Sequence, residues 1–289
     1  MKIITPSYTI LRPCALDAVA RKDALHAIAD AARTCYKSTG TDDATLVAQL
    51  VRSGHEAMLE HYSISVRFTV DRGVSHEIVR HRMASYAQES TRYCNYGKGK
   101  FGGEISVICP PGLTEYARVE WMSACRKAET TYLAMLDDGV PPELARSVLP
   151  HALATELVMT ANLREWRHFL ALRAVGTTGK PHPQIRQVAL PLLHELAAWL
   201  PEVFADLDKQ TRDDVPPECV HVVVPRPKPA AKMSDEEFEA ERKRLYEKNA
   251  EAEERARVQT AIKLPGSEII ANTNKMIQSA KKELCRGMY

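Results

Sequence analysis

The chain has 289 residues, 45% hydrophobic and 26% charged, which is ordinary for a soluble globular protein and long enough to bury one large core without staples. Its 39 Lys+Arg against 37 Asp+Glu leave a net charge of +2, which argues against the broad basic face that duplex wrapping requires. No stretch approaches the roughly 20 apolar residues of a membrane-spanning helix. The opening MKIITPSYTILRP shows no secretory leader, and the seven cysteines never occur as C-x-x-C. These features fit a reducing cytoplasm, rule out a disulfide scaffold and argue against a structural zinc site.

In chain order, 23–36 and 42–52 read as amphipathic helices, the second stopped by Gly54. Residues 63–70, SISVRFTV, alternate with β-branched and aromatic side chains and read as a strand. A short helix is expected over 74–81, a short strand over 105–109 closed by Pro110-Pro111, and a long amphipathic helix over 113–136. Residues 152–161 are ambiguous by period and lean towards strand on their Thr and Val content. Asn162-Leu163-Arg164-Glu165 resembles a capping box opening a helix to about Arg173, and 183–199 reads as a further helix. Strands and helices mix without a βαβ rhythm, so the expected class is α+β. Composition changes near residue 215, which divides the chain into a domain over 1–212 and an extension over 213–289. The extension opens on a Pro-rich strip and continues as a charge-dense run over 234–257 that reads as a solvated helix.

The densest candidate for chemistry is the segment from Arg80 through His81, Arg82, Gln88, Glu89, Ser90 and Thr91 to Arg92 and Tyr93. Arginine presents a planar donor fork that matches phosphate oxygens, and the short polar residues suit a ribose or a base edge. If the start is extended, Arg80 and Arg82 point one way and His81 the other. The alternative is an exposed basic helix end in which Glu77 and Glu89 pair with the arginines. His55 and His61 superficially suggest a metal site. Six residues on a helix turn them roughly 240° apart, so they cannot share an ion. Cys94 follows the arginine block, but no general base stands at an indicative spacing, and a lone cysteine is more often an inert thiol. Further on, Asn162 and Arg173 fall about 20° apart on an unbroken α-helix and would share a stripe. Asn162 as N-cap and Arg173 as a C-terminal charge explain the same residues more plainly.

Arg80-His81-Arg82, seven residues, Ser90, and then Arg92-Tyr93 resemble the signature of the flavin-dependent thymidylate synthases. Three further pieces are similar in order: Gly54-His55 through Glu60-His61, Ala145-Arg146-x-x-Leu149-Pro150, and Asn162 through Arg173. The resemblance covers roughly residues 1–210. It implies an antiparallel sheet with flanking helices, a homotetramer with active sites where subunits meet, and FAD as cofactor with no metal. The implied reaction is reductive methylation of dUMP to dTMP, with 5,10-methylenetetrahydrofolate as carbon donor and NADPH reducing the flavin, so no cysteine nucleophile is needed. It also assigns residues. Ser63, Arg80, His81, Arg82, Gln88, Asn162, Arg164 and His168 would contact FAD. Glu77, Arg80, Gln88, Glu89, Ser90, Thr91, Arg92, Arg146 and Arg173 would contact dUMP. Arg173 would be the catalytic residue, favouring the N3-deprotonated base.

The chain departs from that pattern in three places. Ala87 stands where many relatives carry Asn or Ser, His168 replaces the Asn of some, and the extension after 212 has no counterpart. A competing reading is a non-catalytic nucleotide- or RNA-binding protein, in which Tyr86, Tyr93 and Tyr96 stack bases beside the arginines. On the enzyme reading, no membrane or nucleic-acid partner is expected.

Overall fold

The computed structural model describes residues 1–40 and 42–211, together with 214, 240, 243 and 244. The expected Pro-rich spacer and nearly all of the expected charged helix lie outside the described residues. Among the described residues no helix is long and apolar enough to cross a membrane.

The chain opens with strands β1 (Lys2–Ile4) and β2 (Ser7–Arg12), then helices α1 (Ala18–Tyr36) and α2 (Asp43–Arg52). A 3₁₀-helix, Glu56–His61, leads into β3 (Ser63–Asp71), followed by α3 (Arg72–Ile78) and β4 (Ala84–Gln88). Next come β5 (Ser106–Ile108), α4 (Glu115–Asp137) and the single turn α5 (Pro142–Ala145). The remaining elements are β6 (Ala154–Asn162), α6 (Leu163–Leu170), a π-helical turn Ala171–Val175, α7 (Pro183–Trp199) and α8 (Pro201–Asp208).

Side-chain caps set most of the helix starts. Asp17, Asp42, Asp71, Thr114 and Asn162 accept from the backbone N–H three residues on, opening α1, α2, α3, α4 and α6. Asp17 is why α1 begins five residues before the periodic pattern that announces it.

Four antiparallel strands form the main sheet in the order β2-β3-β6-β4, and β1 pairs in parallel with β5. This is the α+β class expected from the sequence. The alternation in β3 places Ile64, Val66, Phe68 and Val70 inward, all within 1% of full burial. They meet Trp166, Phe169 and Leu170 of α6 and the apolar face of α7. Burying each such side chain contributes about 1.5–3 kcal/mol. β6 resolves its ambiguous period by pairing with β3 over nine residues, from Ser63 opposite Asn162 to Asp71 opposite Ala154. A second apolar cluster joins Ile105, Val107, Cys125, Tyr132 and Leu153 between β5 and α4. The β3–β6 pair therefore carries α6 at one end of the sheet and α3 at the other, and fixes the site between them.

Candidate active site

The segment from Arg80 to Met83 crosses from the end of α3 to the start of β4 and has no regular structure. Tyr86 pins it. Its hydroxyl lies 2.9 Å from the carbonyl of Ile78 and 2.6 Å from that of His81. The expected alternation holds here: His81 is 4% exposed, while Arg80 and Arg82 face outward.

His81 sits between two partners. Its Nδ1 is 3.2 Å from Oε1 of Glu165, and its Nε2 accepts from Nε of Arg173 at 3.2 Å. Phe169 meets the imidazole edge-on at 4.9 Å, and the ring of His168 lies at 5.5 Å. The same guanidinium donates from Nη1 to Oε2 of Glu77 at 2.8 Å and from Nη2 to the Glu77 carbonyl at 3.3 Å. Arg173 is thus held at all three nitrogens, which fixes the plane of its fork. Burial, then the Arg173 charge, push His81 down to about 4, so the contact with Glu165 is a hydrogen bond from a neutral imidazole rather than an ion pair. Burial pushes the Glu165 carboxyl up.

Two cavities adjoin across His168. One, of about 550 Å³, is lined by Glu77, Arg80, His81, His168, Arg173 and the loop Thr178–His182. The other, of about 540 Å³, is lined by Glu60, Met83, Asn162, Arg164, Glu165 and His168 among others. Ser63 pairs with Asn162 at the rim of the second, and Arg164 donates to Glu60 at 2.6 Å there. Arg82 is exposed and lines neither.

A second group of candidate residues gathers around the turn that follows β4. Arg146 donates to Oγ1 of Thr91 at 3.2 Å, and Arg92 reaches Glu143 at 2.8 Å, so the Ser90–Arg92 turn and Arg146 form one basic patch. Glu89 accepts from the Tyr96 hydroxyl at 2.7 Å, and its carbonyl accepts from Arg72 at 3.0 Å. Gln88 turns its amide to Ser75 at 2.9 Å and to Thr155 at 3.4 Å. Arg146 and the Ser90–Arg92 turn line neither of the two cavities.

Two expectations need correction. Asn162 and Arg173 do not share a stripe: Asn162 is the N-cap, with extended backbone, and Arg173 lies inside the π turn Ala171–Val175 that follows α6. That wider turn rotates Arg173 away from its α-helical position and into the wall with Glu77 and Arg80. The turn ends on Gly176, at φ 89°, where a Cβ would lie 2.7 Å from Pro181 and 2.9 Å from the Gly179 carbonyl. Only glycine lets the 178–182 loop fold back over the cavity. His55 is the N-cap of the helix Glu56–His61, which is a 3₁₀-helix rather than an α-helix. Along its roughly 2 Å rise, residues six apart are separated by roughly 12 Å, so the two still cannot share one ion.

Sequence reading missed Glu165 as a partner of His81, Tyr86 as its backbone anchor, and the 178–182 loop. Glu165 carried only a capping signal, and nothing local marked the other two. Among the described residues His81, Glu165 and His168 bring possible ligand atoms within 4.8 Å of one another. The guanidinium already bonded to Nε2 of His81 opposes a divalent cation there. Cys94 is half-buried, and burial and Glu89 push its thiol up, away from the thiolate a nucleophile needs.

The buried His81 predicts a pH dependence of stability. Between its ordinary 6.5 and the folded value of about 4, the unfolded chain binds the proton that the folded protein refuses. Stability from this group is therefore full above pH 6.5 and declines as pH falls through that window, by about 2 kcal/mol at pH 5. Glu165, shifted upward, takes a proton when folded and offsets part of the loss at the acid end. Urea midpoints at pH 7 and pH 5 should show a larger decline for the native chain than for His81→Gln. Equal declines would show that His81 is not held neutral.

The chain is similar to several known proteins. Residues 18–202 match the family model described as thymidylate synthase complementing protein. A flavin-dependent thymidylate synthase of Geobacter sulfurreducens is 35% identical over 195 residues, spanning 62% of this chain and 80% of the relative. One from Mycobacterium tuberculosis is 34% identical over 209 residues, with 64% and 80% covered. Among solved structures, the UMP/dUMP methylase PolB of Streptomyces cacaoi, bound with 5-Br dUMP, shares the fold. Its TM-score is 0.58 at 23% identity, over 74% of this chain and 97% of that one.

Proposed function

This chain belongs to the family of the flavin-dependent thymidylate synthases, and from that premise we propose that it converts dUMP to dTMP by reductive methylation at C5 of the uracil. FAD is the cofactor, 5,10-methylenetetrahydrofolate the carbon donor and NADPH the reductant.

The observation that carries the reading is Arg173, locked by Glu77 and His81 in the wall of a cavity it shares with Arg80. A guanidinium cannot lose its proton, so in this position it stabilises negative charge developing on the pyrimidine ring and favours the N3-deprotonated base. The donor set fits FAD. Arg80, Asn162, Arg164 and His168 stand along the two adjoining cavities, offering guanidinium forks to phosphates and amide or imidazole donors to ring edges. FAD held by these residues would supply the redox chemistry of the reductive methylation, with NADPH as its reductant. The protein's own part is to hold the nucleotide, keep the Arg173 fork aimed, and do so without a thiolate, since Cys94 is not poised as one.

The basic patch of Ser90–Arg92 with Arg146 takes the dUMP phosphate. Arg173 and Arg146 belong to separate side-chain groups within one chain, an arrangement that suits sites combining residues of different subunits, as in the homotetramer the family resemblance implies.

The non-catalytic RNA-binding alternative is not favoured. Tyr96 is 6% exposed and gives its hydroxyl to Glu89, and Tyr86 is tied to the backbone at His81. Of the three tyrosines only Tyr93 is free to stack, with Arg92 5.4 Å above its ring.

The purified full chain should be yellow, should bleach anaerobically with NADPH, and should yield dTMP once dUMP and methylenetetrahydrofolate are added. A protein that stays colourless after FAD is supplied, or one that bleaches but never methylates dUMP, would overturn this function.

A further inference from the structure

Arg173 Nε can only donate, so the Nε2 of His81 that faces it at 3.2 Å must carry a lone pair. A neutral imidazole with a bare Nε2 carries its proton on Nδ1, and that nitrogen faces Oε1 of Glu165 at 3.2 Å. We propose that Glu165 is a positioning residue: it fixes His81 as the Nδ1–H tautomer, and His81 so fixed holds the Arg173 guanidinium in the plane that meets the nucleotide. The chain is continuous from the Glu165 carboxylate, through a buried ring, to the residue assigned to activate the base. This deepens the proposed function and rests on it for the role of Arg173.

The placement of Glu165 supports the assignment independently. In a capping box the glutamate at this position reaches back to the backbone N–H of the N-cap. Here only half the box exists. Asn162 Oδ1 accepts from the Glu165 N–H at 2.9 Å, while the Glu165 carboxylate turns to His81, 84 positions earlier in the chain. At 8% exposure it costs several kcal/mol to bury an unpartnered charge, so the carboxylate is there because the imidazole N–H meets it.

Every element around His81 is consistent with a neutral ring. From α6 it faces Glu165, His168 and Phe169, and from the π turn Arg173. Glu77 of α3 lies across the guanidinium, Arg80 precedes it, and β4 contributes the Tyr86 hydroxyl to its carbonyl. Flipping the tautomer would set an Nε2–H against Arg173 Nε–H and a bare Nδ1 against a carboxylate. Both contacts would become repulsive at once.

Glu165→Gln and Glu165→Leu in the full chain separate tautomer selection from charge and from packing. The glutamine carbonyl can accept from Nδ1–H, so Glu165→Gln should keep kcat within about threefold. Leucine cannot accept. It should lower kcat by roughly 10- to 100-fold, the size seen when the partner orienting a ligating histidine is removed, with flavin content and NADPH bleaching unchanged. Imidazole ¹⁵N shifts provide a readout that does not depend on turnover. With the His81 signals assigned by their loss in His81→Asn, the native chain and Glu165→Gln should show a protonated Nδ1 and a bare Nε2. Glu165→Leu should lose that preference. Protonated Nε2 in the native chain would overturn the proposal, as would Glu165→Gln as impaired as Glu165→Leu, or Glu165→Leu with native kcat. If Glu165→Leu fails to fold, the glutamine variant and the native shifts still decide. A native chain that makes no dTMP yet shows the Nδ1–H tautomer would sink the proposed function and leave the Glu165–His81 assignment standing.

Discussion

Arg173→Ala is expected to lower kcat by about 10²–10³-fold while the protein stays yellow and still bleaches with NADPH. The lost interaction is one that strengthens as negative charge builds on the uracil ring, so its removal falls on turnover rather than on cofactor binding. The substitution also leaves Glu77 without its ion-pair partner and His81 without its donor, adding an uncompensated carboxylate to the nucleotide cavity. Arg173→Ala with Glu77→Gln removes that excess charge, and should recover nucleotide affinity more than turnover. Arg173→Lys should rescue little. A single ammonium cannot serve His81, the Glu77 carboxylate and the Glu77 carbonyl at once, as the planar fork does. Flavin content, anaerobic bleaching and single-turnover dTMP formation measure the three parts separately. An Arg173→Ala protein that loses flavin but turns over normally when FAD is resupplied would place Arg173 with the cofactor and not with the base.

What could be read from the sequence, and what could not, follows from how local each signal is. The alternation of SISVRFTV and the long apolar periods of α4 and α7 are written within single segments, and those elements stand where the patterns put them. β4 was hidden because ASYAQ is five residues long, half exposed, and embedded in an arginine block whose charges dominate any reading. β2 is short and two-sided in the same way, and α8 follows α7 after a single intervening residue, so its pattern merges with that of α7. The π turn left no compositional mark. It ends at Gly176, where the 178–182 loop folds back, a contact between segments that exists only in the folded chain. At the site, the arginines and His81 were legible as a cluster because they are adjacent in sequence. The pairings that give them roles were not, since Arg173 with Glu77 and Glu165 with His81 span 96 and 84 positions. Charge count alone matched Glu77 and Glu89 to the arginines around them. The structure gives Glu77 to Arg173 and puts the Glu89 carboxylate under the hydroxyl of Tyr96.

Two inactive variants, Arg146→Ala and Arg173→Ala, should restore one another's activity when co-expressed. Within one chain Arg146 belongs with Thr91 and the Ser90–Arg92 turn, and Arg173 with Glu77 and His81. Neither Arg146 nor the Ser90–Arg92 turn lines the cavity that Arg173 shares with Arg80. A nucleotide that needs a phosphate held by one group and a ring activated by the other is served if the two groups come from different subunits across a symmetric interface. Suppose each site takes Arg146 from one chain and Arg173 from another. A site is then intact when the first chain is the Arg173 variant and the second the Arg146 variant. With equal amounts and random assembly that holds for roughly a quarter of sites, the product of two chances of one half at a shared interface. Activity should therefore rise from about 10²–10³-fold below native to nearly a quarter of native. Co-expression, or joint unfolding and refolding, is needed so that subunits exchange, and mass spectrometry of differently tagged chains verifies the hybrids. If proven hybrids are no more active than the two parents, both arginines serve one site from a single chain. The separation between the two groups would then have to close within each subunit when the nucleotide binds.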